Sequence, residues 1–587
     1  MRMTWVVVLL IALAASAFSA EAPLMLYDSG HVKSRIVTSA RATALETLAV
    51  QEINRTTRAI WGFELPVSDA GAAPELHNSI VIGTPDGNPV IRQLAASARR
   101  DFDWLGREGF RIRRIEEARG SYLALAANTP AGVLNAARYL AAFSLQNQGG
   151  TVAAATDAVN RKPAFAMRGT YNLACWGLAP RYSRQDWEKI IDAMADDGMN
   201  VIFFWLSGLF RSKTYPETFI YPETPLTTDD VRQLIRHAHS RGVDFYLGTG
   251  VFAWFGVDEI AKHHAEVREV GIQHMCRTLP AAQEAMQRYL MELYDTFPEA
   301  KGMWLEIGCE GDYHCQGPVC QRVVDEFGSR QIGLSELSFL RAFSAELWKK
   351  YPQAKLVWGM GYPEAHKWDV KYYDEIRRNF RDPRYYFLEV RQNWALQDRE
   401  GVLKPLAELS PHTMHWDQYY ALPLRDMGER AHRIQEDGLA GWIVAFEPGF
   451  STHSMYGRRV PYPVDLIPYR LTRFAYREFT FDPSLSWTGF RKRLLAHFFG
   501  EEANPELADL TLTVFDLIRT GPIRGSYAEL TKPVDGAGHG QMLKPRLAAI
   551  EKRLNSMESG LAPRGRQIGL PLLRQAIRDM REAYSVR

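Results

Sequence analysis

The feature that most constrains the fold is a series of eight short strand-like segments, most of them separated by segments with helical periodicity. This alternation predicts parallel strands joined by helices, because a strand that is buried on both faces is apolar along its length. The predicted strands are residues 168–173, 200–206, 244–248, 302–308, 356–359, 386–390, 415–419 and 442–446. Eight such units over about 290 residues suffice to close a (β/α)8 TIM-type barrel, which we predict for residues 164–455. An open doubly wound sheet is the alternative, but no glycine-rich nucleotide loop follows the first strand.

Two further regions flank the predicted barrel. Residues 20–150 alternate short strands and helices, which predicts a small α/β domain whose last helix, 131–143, is opened by Thr129 and Pro130. From residue 461 the pattern is mostly helical, which predicts a C-terminal helical domain over residues 460–587. The expected fold class is therefore α/β, with one domain before the barrel and a helical region after it.

Residues 1–19 have the features of a cleavable signal peptide. Arg2 precedes an apolar run over residues 5–15, and Ala17 and Ser19 are small residues at the −3 and −1 positions of a cleavage site. An uncleaved N-terminal anchor is the alternative. No later segment has the roughly 18 consecutive apolar residues that a membrane span needs. We therefore expect a soluble mature chain that is secreted or periplasmic and makes no membrane contact.

Charge and composition narrow the choice of partner. The formal net charge is +2 and no basic stripe or tail is present, which argues against nucleic acid. Aromatic residues make up 12% of the chain, and their flat rings suit the apolar faces of sugars as well as protein cores. A carbohydrate is the partner that we expect.

The five cysteines are not spaced like a zinc site. Cys309, Cys315 and Cys320 lie near His314, but the two-residue spacing of a zinc knuckle is missing and no second ligand pair follows. In an oxidising compartment a local disulfide, most simply Cys315–Cys320, is the better interpretation. We expect no metal and no other cofactor.

Candidate site residues follow from the strand assignment, because reactive groups in such barrels lie just beyond the C-terminal ends of the strands. Carboxylates after the fourth, seventh and eighth strands would converge there, and sugar hydrolysis uses such a set. One carboxylic acid protonates the leaving oxygen, and a second carboxylate activates water or attacks the anomeric carbon. We assign Glu310 as the acid and Asp417 or Glu447 as the second group. The expected substrate-binding residues are Asn172, Trp176, Trp254, Glu306, Asp312, Arg391, Asn393 and Trp416.

Several motifs resemble glycoside hydrolase family 67, the α-glucuronidases, and more loosely the family 20 β-hexosaminidases. The segment Cys309-Glu310-Gly311 resembles the Ser-Glu-Gly of the α-glucuronidases, and this implies that Glu310 is the general acid. Residues 416–419 resemble the end of their seventh strand, which bears one of two candidate bases, with Gln418 near the position of the family's glutamate. Residues 132–139 and 469–483 resemble the last helix of their first domain and their post-barrel helix.

The resemblance to family 20 concerns Arg168-Gly169 on the first strand. In the hexosaminidases the arginine of this motif grips sugar hydroxyls, which implies a substrate-binding role for Arg168. The Asp-Glu pair of that family is absent, since Gly311 follows Glu310.

The chain departs from the α-glucuronidases where that family binds the uronate carboxylate. The family's lysine, four residues before the acid, and its arginine on the fifth strand correspond to Glu306 and Gly359 here. A glutamate would repel a uronate by roughly 1 kcal/mol or more. A neutral or amino sugar is therefore as plausible a substrate as glucuronic acid.

The sequence thus predicts an exo-acting, cofactor-free glycosidase. The alternatives are a non-catalytic carbohydrate-binding protein on a decayed barrel and a β-N-acetylhexosaminidase-like enzyme. A metal-dependent barrel hydrolase is disfavoured because the sequence offers no convincing set of His and Asp ligands. Whether the anomeric configuration is retained or inverted depends on the separation of the two carboxyl groups and stays open.

Overall fold

The structure is a computed structural model that describes residues 23–71, 75–118, 120–155, 157–172, 174, 179–269, 275–307, 318, 331–359, 370–390, 412–418, 423–445, 467–500, 504–519 and 536–583. The chain divides into two compact units. The first contains the described residues up to Lys162 and those within 496–502 and 561–567. The second contains the other described residues from Pro163 onward.

The first unit is built on two β-sheets. Its strands are β1 (Leu24–Asp28), β2 (His31–Val32), β3 (Arg35–Thr38), β4 (Val67–Asp69), β5 (Ser79–Gly83), β6 (Phe110–Glu117), β7 (Gly120–Ala126), β8 (Leu145–Gln148), β9 (Thr151–Ala154) and β10 (Val159–Arg161). One sheet has the order β2-β1-β9-β8 and the other β10-β6-β7-β5-β3-β4. Strand β5 is buried along its whole length, as expected for an apolar strand paired on both sides.

The helices of this unit begin at residues suited to capping. They are α1 (Ala44–Trp61), α2 (Pro89–Ser97), α3 (Arg99–Leu105) and α4 (Pro130–Tyr139). Helix α1 opens with a reciprocal capping box between Thr43 and Glu46. Helix α4 begins at the predicted proline, and the hydroxyl of Thr129 accepts a hydrogen bond from the amide of Gly132.

The second unit contains a closed barrel of eight parallel strands. They are β11 (Met167–Asn172), β12 (Val201–Trp205), β13 (Asp244–Val251), β14 (Gly302–Ile307), β15 (Lys355–Gly359), β16 (Tyr385–Val390), β17 (Thr413–Gln418) and β18 (Gly441–Ala445). Each strand pairs with its neighbour in sequence, and β18 pairs with β11 to close the barrel. Helices between the strands are α5 (Arg184–Asp196), α6 (Thr228–Ser240), α7 (Val257–His263), α8 (Pro280–Thr296), α9 (Gln331–Lys350), α10 (Val370–Asn379) and α11 (Leu424–Glu436).

A helical region follows the barrel. Its helices are α12 (Ile467–Phe481), α13 (Trp487–Phe499), α14 (Pro505–Arg519), α15 (Gly536–Met557) and α16 (Leu570–Ala583). Helix α12 is hydrogen-bonded to β11 and β18, the two strands whose pairing closes the barrel. The hydroxyl of Tyr476 accepts a hydrogen bond from the amide of Gly169 at 2.8 Å and donates one to the carbonyl of Trp442. Burial raises the pKa of this hydroxyl above its ordinary value, so it remains a donor at any physiological pH.

The predicted fold class is confirmed. All eight predicted strands are present, and seven of them end within one residue of the predicted position. The exception is β13, which continues three residues past Gly248 to Val251. Among the described residues, no helix has the length and apolar character needed to cross a membrane.

Candidate active site

Aromatic side chains from non-adjacent strands meet inside the C-terminal half of the barrel. The ring of Tyr171 on β11 lies 4.3 Å from that of Trp304 on β14 and 5.6 Å from that of Trp416 on β17, between centroids. Neither β14 nor β17 pairs with β11, so these rings point into the barrel. Trp205, the last residue of β12, adds a further ring 5.2 Å from Trp304. The interior of the C-terminal half of the barrel is therefore lined largely by aromatic rings.

Glu306 places a carboxylate in this aromatic cluster. Its exposed fraction is only 4%, and its Oε2 accepts a hydrogen bond from the hydroxyl of Tyr171 at 3.3 Å. A carboxylate in such surroundings can accept further hydrogen bonds from hydroxyl groups or pair with an amine. The predicted substrate-binding residues Glu306 and Trp416 are thus brought together through Tyr171.

Glycines flank Glu306 on both neighbouring strands. Its register partners are Gly250 on β13 and Gly359 on β15. A Cβ atom at Gly359 would lie 3.5 Å from Cγ of Glu306 and 3.3 Å from Nε1 of Trp304. A side chain at this position would therefore crowd the carboxylate, and glycine leaves room beside it.

Trp254 lies in a turn directly after β13. Its amide donates a hydrogen bond to Oδ1 of Asp258 at 3.1 Å, and its ring stacks at 5.6 Å on that of Phe255. Phe255 in turn contacts Trp205 at 6.0 Å. Ring contacts therefore run without interruption from Trp254 to the aromatic cluster around Glu306.

The predicted substrate-binding role of Arg168 is corrected by its position. The guanidinium donates hydrogen bonds to the carbonyls of Phe165, at 2.7 Å, and Gly198, at 3.0 Å. These carbonyls precede β11 and β12, so the side chain lies at the N-terminal end of the barrel, and it is only 1% exposed. The physical reason is that Arg168 is the second residue of its strand and cannot reach the opposite end.

For Asn172 and Asp417 the structure describes the position of the backbone. Asn172 is the last residue of β11 and pairs with Phe204, while Asp417 pairs with Val444 near the end of β17. Both backbones therefore lie at the C-terminal end of the barrel, on strands separated by β18. Their contribution to a site stays a prediction.

Six predicted site residues lie outside the described residues, namely Trp176, Glu310, Asp312, Arg391, Asn393 and Glu447. The predicted Cys315–Cys320 pairing also lies outside them, while Cys276 is buried and its Sγ donates a hydrogen bond to Oε1 of Glu269 at 3.4 Å. Within the described ranges, no group of three or more His, Cys, Asp or Glu side chains is arranged to hold a metal ion.

Sequence reasoning missed four residues of this cluster, namely Tyr171, Trp205, Trp304 and Phe255. Tyr171 lies two positions after Gly169, and the two-residue period of a strand would have assigned both to the same face. Phe255 gave no comparable signal, because its position depends on a turn of unusual backbone conformation.

Fold and site together define a (β/α)8-barrel protein with a buried carboxyl group among aromatic rings in the C-terminal half of the barrel. Residues 28–139 match the family model described as the Glycosyl hydrolase family 67 N-terminus. No curated protein sequence gives a significant match.

Solved structures of glycoside hydrolases share the fold. A GH20 exo-β-N-acetylglucosaminidase from Vibrio harveyi aligns with a TM-score of 0.50 and 16% identity, over 81% of this chain and 75% of that one. A β-N-acetylhexosaminidase from Bacteroides fragilis gives 0.51 and 16%, over 78% and 89%. A GH138 enzyme targeting pectin rhamnogalacturonan II gives 0.54 and 14%, over 82% and 69%. These findings confirm the predicted resemblances and support the prediction of a glycosidase.

Proposed function

We propose that this protein is an exported glycoside hydrolase that removes a terminal sugar from oligosaccharides or polysaccharides by carboxyl acid/base catalysis. The observation that carries the proposal is the buried Glu306 among aromatic rings in the C-terminal half of the barrel. Aromatic walls with few polar groups are typical of ligand sites, and the C-terminal end is the catalytic end of such barrels. The family 67 match of the preceding domain supports the same class of substrate.

The catalytic roles follow the sequence assignment. Glu310 is the general acid, and Asp417 or Glu447 is the base or nucleophile. Strand β14 ends at Ile307 and β18 at Ala445, so Glu310 and Glu447 follow strand ends by three and two residues. Catalytic groups of such barrels are found within a few residues of the C-terminal strand ends, so this spacing in the sequence supports a site shared with Asp417 of β17.

The sugar is neutral or carries an amine. A uronate bound beside Glu306 would bring two carboxylates together, at a cost of about 1 to 4 kcal/mol at 4 Å in surroundings from water-like to partly buried. Sugar hydroxyls would instead donate hydrogen bonds to the Glu306 carboxylate, and an amine would pair with it. Gly359, the register partner of Glu306 on β15, supports this, because a glycine carries no cationic side chain to offset the charge of a uronate.

Hydrolysis of aryl glycosides tests the proposal. The panel contains the glucuronide, glucoside, galactoside and N-acetylhexosaminides in both anomers, and the enzymes are the wild type and Glu310→Gln. We expect cleavage of one neutral or amino glycoside and at least a hundredfold loss in the variant, as for removal of a general acid. If the wild type cleaves nothing but sugars raise its melting temperature, the protein is a carbohydrate-binding protein and the proposal fails.

Export is tested separately by expressing the full chain with its leader in a bacterial host. The mature protein recovered outside the cytoplasm should begin at or near Ala20, after the cleavage site at Ser19. Recovery of the intact leader with the membrane fraction would show an anchor instead.

A further inference from the structure

The turn after β13 has an unusual backbone. Phe252, Trp254 and Phe255 have φ angles of +63°, +77° and +34°, and Gly256 follows with +85°. Positive φ is rare for residues with a Cβ atom and a genuine outlier for bulky ones. Such strain persists only where the surroundings enforce it, and it clusters at functional sites.

Close packing against the end of β13 enforces this conformation. A Cβ atom on Gly250 would lie 2.0 Å from the carbonyl oxygen of Ala253 and 2.9 Å from Cβ of Trp254. The turn therefore folds back over the end of β13 and occupies the space that a side chain at position 250 would need. Asp258 holds the amide of Trp254 from the other side, at 3.1 Å.

Contacts from the side complete the support. A Cβ atom on Gly256 would lie 2.2 Å from the carbonyl oxygen of Thr218 and 3.0 Å from Cα of Gly208. These residues belong to the segment after β12, so two loops of the barrel meet at a pair of glycines. The turn therefore packs against the end of β13 on one side and against the segment after β12 on another.

The turn presents two aromatic rings at the mouth of the barrel. Trp254 and Phe255 are both partly exposed, and their rings are stacked with planes 26° apart. Gly250, against which Trp254 packs, is the register partner of Glu306. Because neighbouring strands are about 4.8 Å apart, Cβ of Trp254 lies within roughly 10 Å of the Glu306 backbone.

We propose that Trp254 is the stacking residue for the terminal sugar ring and that the left-handed turn fixes its indole before the substrate binds. The inference rests on the proposed function, since it assigns the substrate of that site. A core-filling indole would not need a strained backbone that leaves it partly exposed. A flat, rigid ring at the same end of the barrel as the carboxyl group of Glu306 suits a pyranose, whose C–H face is apolar and whose edge carries hydroxyl groups. Fixing the ring in advance lowers the entropic cost of binding.

Binding and kinetics of Trp254→Gly test the proposal. Glycine accepts the left-handed backbone without a Cβ atom, so the turn can persist without the ring. Trp254→Asn is the second variant, because asparagine tolerates the same region. Trp254→Tyr is the conservative one, since it keeps an aromatic face. Trp104→Ala removes an exposed indole of the first unit and serves as the matched control.

The measurements are KM and kcat for the glycoside that the wild type cleaves, and monosaccharide affinity by titration calorimetry. We expect KM and the dissociation constant to rise about tenfold to thirtyfold in Trp254→Gly and Trp254→Asn, from loss of one buried ring face. In Trp254→Tyr both constants should stay within about threefold of the wild-type values, and in Trp104→Ala they should not change. In the variants of Trp254, kcat should change less than KM.

The outcomes separate the two proposals. If the wild type binds and cleaves sugar but Trp254→Gly and Trp254→Asn bind it equally well, the stacking role is wrong and the proposed function stands. If the wild type binds sugar without cleaving it and the two variants lose binding, the stacking role stands and the proposed function fails. If no sugar in the panel binds the wild type, both are wrong.

Discussion

The phenolic hydroxyl of Tyr171 donates a hydrogen bond to Oε2 of Glu306 at 3.3 Å, across the interior of the barrel from β11 to β14. Tyr171 also contacts Trp304 and Trp416, so one residue orders both the carboxylate and the rings around it. The tyrosine hydroxyl is a neutral donor and adds no positive charge beside the carboxyl group of Glu306. The proposed preference for a neutral or amino sugar therefore predicts how substitution of Glu306 changes selectivity.

Substitution Glu306→Gln should change the selectivity between charged and neutral sugars. The amide has the same shape but removes the repulsion of a uronate, so kcat/KM for an aryl glucuronide relative to the preferred neutral glycoside should rise about tenfold. The measurement is the ratio of the two specificity constants. Glu506→Gln, which removes a partly exposed carboxylate paired with Arg553, is the control and should leave the ratio unchanged.

Substitution Gly250→Ala should displace the turn that carries Trp254. Its Cβ atom would lie 2.0 Å from the carbonyl oxygen of Ala253, a contact that only movement of the backbone can relieve. We expect a loss of about 2 kcal/mol or more in unfolding free energy together with a higher KM. Gly560→Ala meets no atom within 4 Å and should be neutral in both measurements. An unchanged KM in Gly250→Ala would mean that the turn does not serve the substrate.

Arg168→Met should destabilise the barrel without changing substrate affinity. The variant leaves the buried carbonyls of Phe165 and Gly198 without their donor, which costs about 2 to 4 kcal/mol. Thermal unfolding should shift down by several degrees, while KM measured well below the transition stays constant. A raised KM with an unchanged melting temperature would instead restore the substrate-gripping role implied by the family resemblance.

Asp192 links α5 and α6 and makes stability depend on pH. Burial raises the pKa of its carboxyl, but hydrogen bonds from His237, at 2.7 Å, and Arg241, at 2.6 Å, outweigh this and lower the pKa to about 2. Since the pKa is lower in the folded state, the stabilisation is complete above the unfolded value of 3.8 and is lost as pH falls from about 4 towards 2.

The matching variant is Asp192→Asn. After allowance for partial exposure it should be about 1 kcal/mol less stable than the wild type at pH 7, and the difference should shrink below pH 4. Urea unfolding between pH 3 and pH 7 measures this. Asp509→Asn, whose carboxylate is largely exposed, should show no such pH dependence. A difference that is constant over this range would show that packing, not charge, is responsible.

The sequence was sufficient to predict the barrel because buried parallel strands are continuous apolar runs. The segment Val201–Trp205 is such a run, and it is buried at every position. The capping box between Ser183 and Asp186, which opens α5, is likewise a local feature, since it depends only on the spacing of two residues. Local chemistry and burial therefore predicted the elements and their order.

The site was less predictable because it depends on where each residue lies along its strand and on one unusual turn. The Arg-Gly motif does not show that Arg168 is the second residue of its strand, and this position puts its side chain at the N-terminal end of the barrel. The extension of β13 to Val251 and the left-handed residues after it have no local sequence signal, since phenylalanine and tryptophan ordinarily avoid positive φ. Gly250 and Gly256 leave the space that this turn needs.

The measurement that tests the central claim most directly is the rate of hydrolysis of two aryl glycosides by the wild type and Glu310→Gln. The glycosides carry the preferred sugar and differ in the acidity of the phenol that leaves. If Glu310 protonates the leaving oxygen, the variant should lose at least a hundredfold with the poor leaving group and much less with the good one. Equal losses with both phenols, or no loss at all, would contradict carboxyl acid catalysis by Glu310.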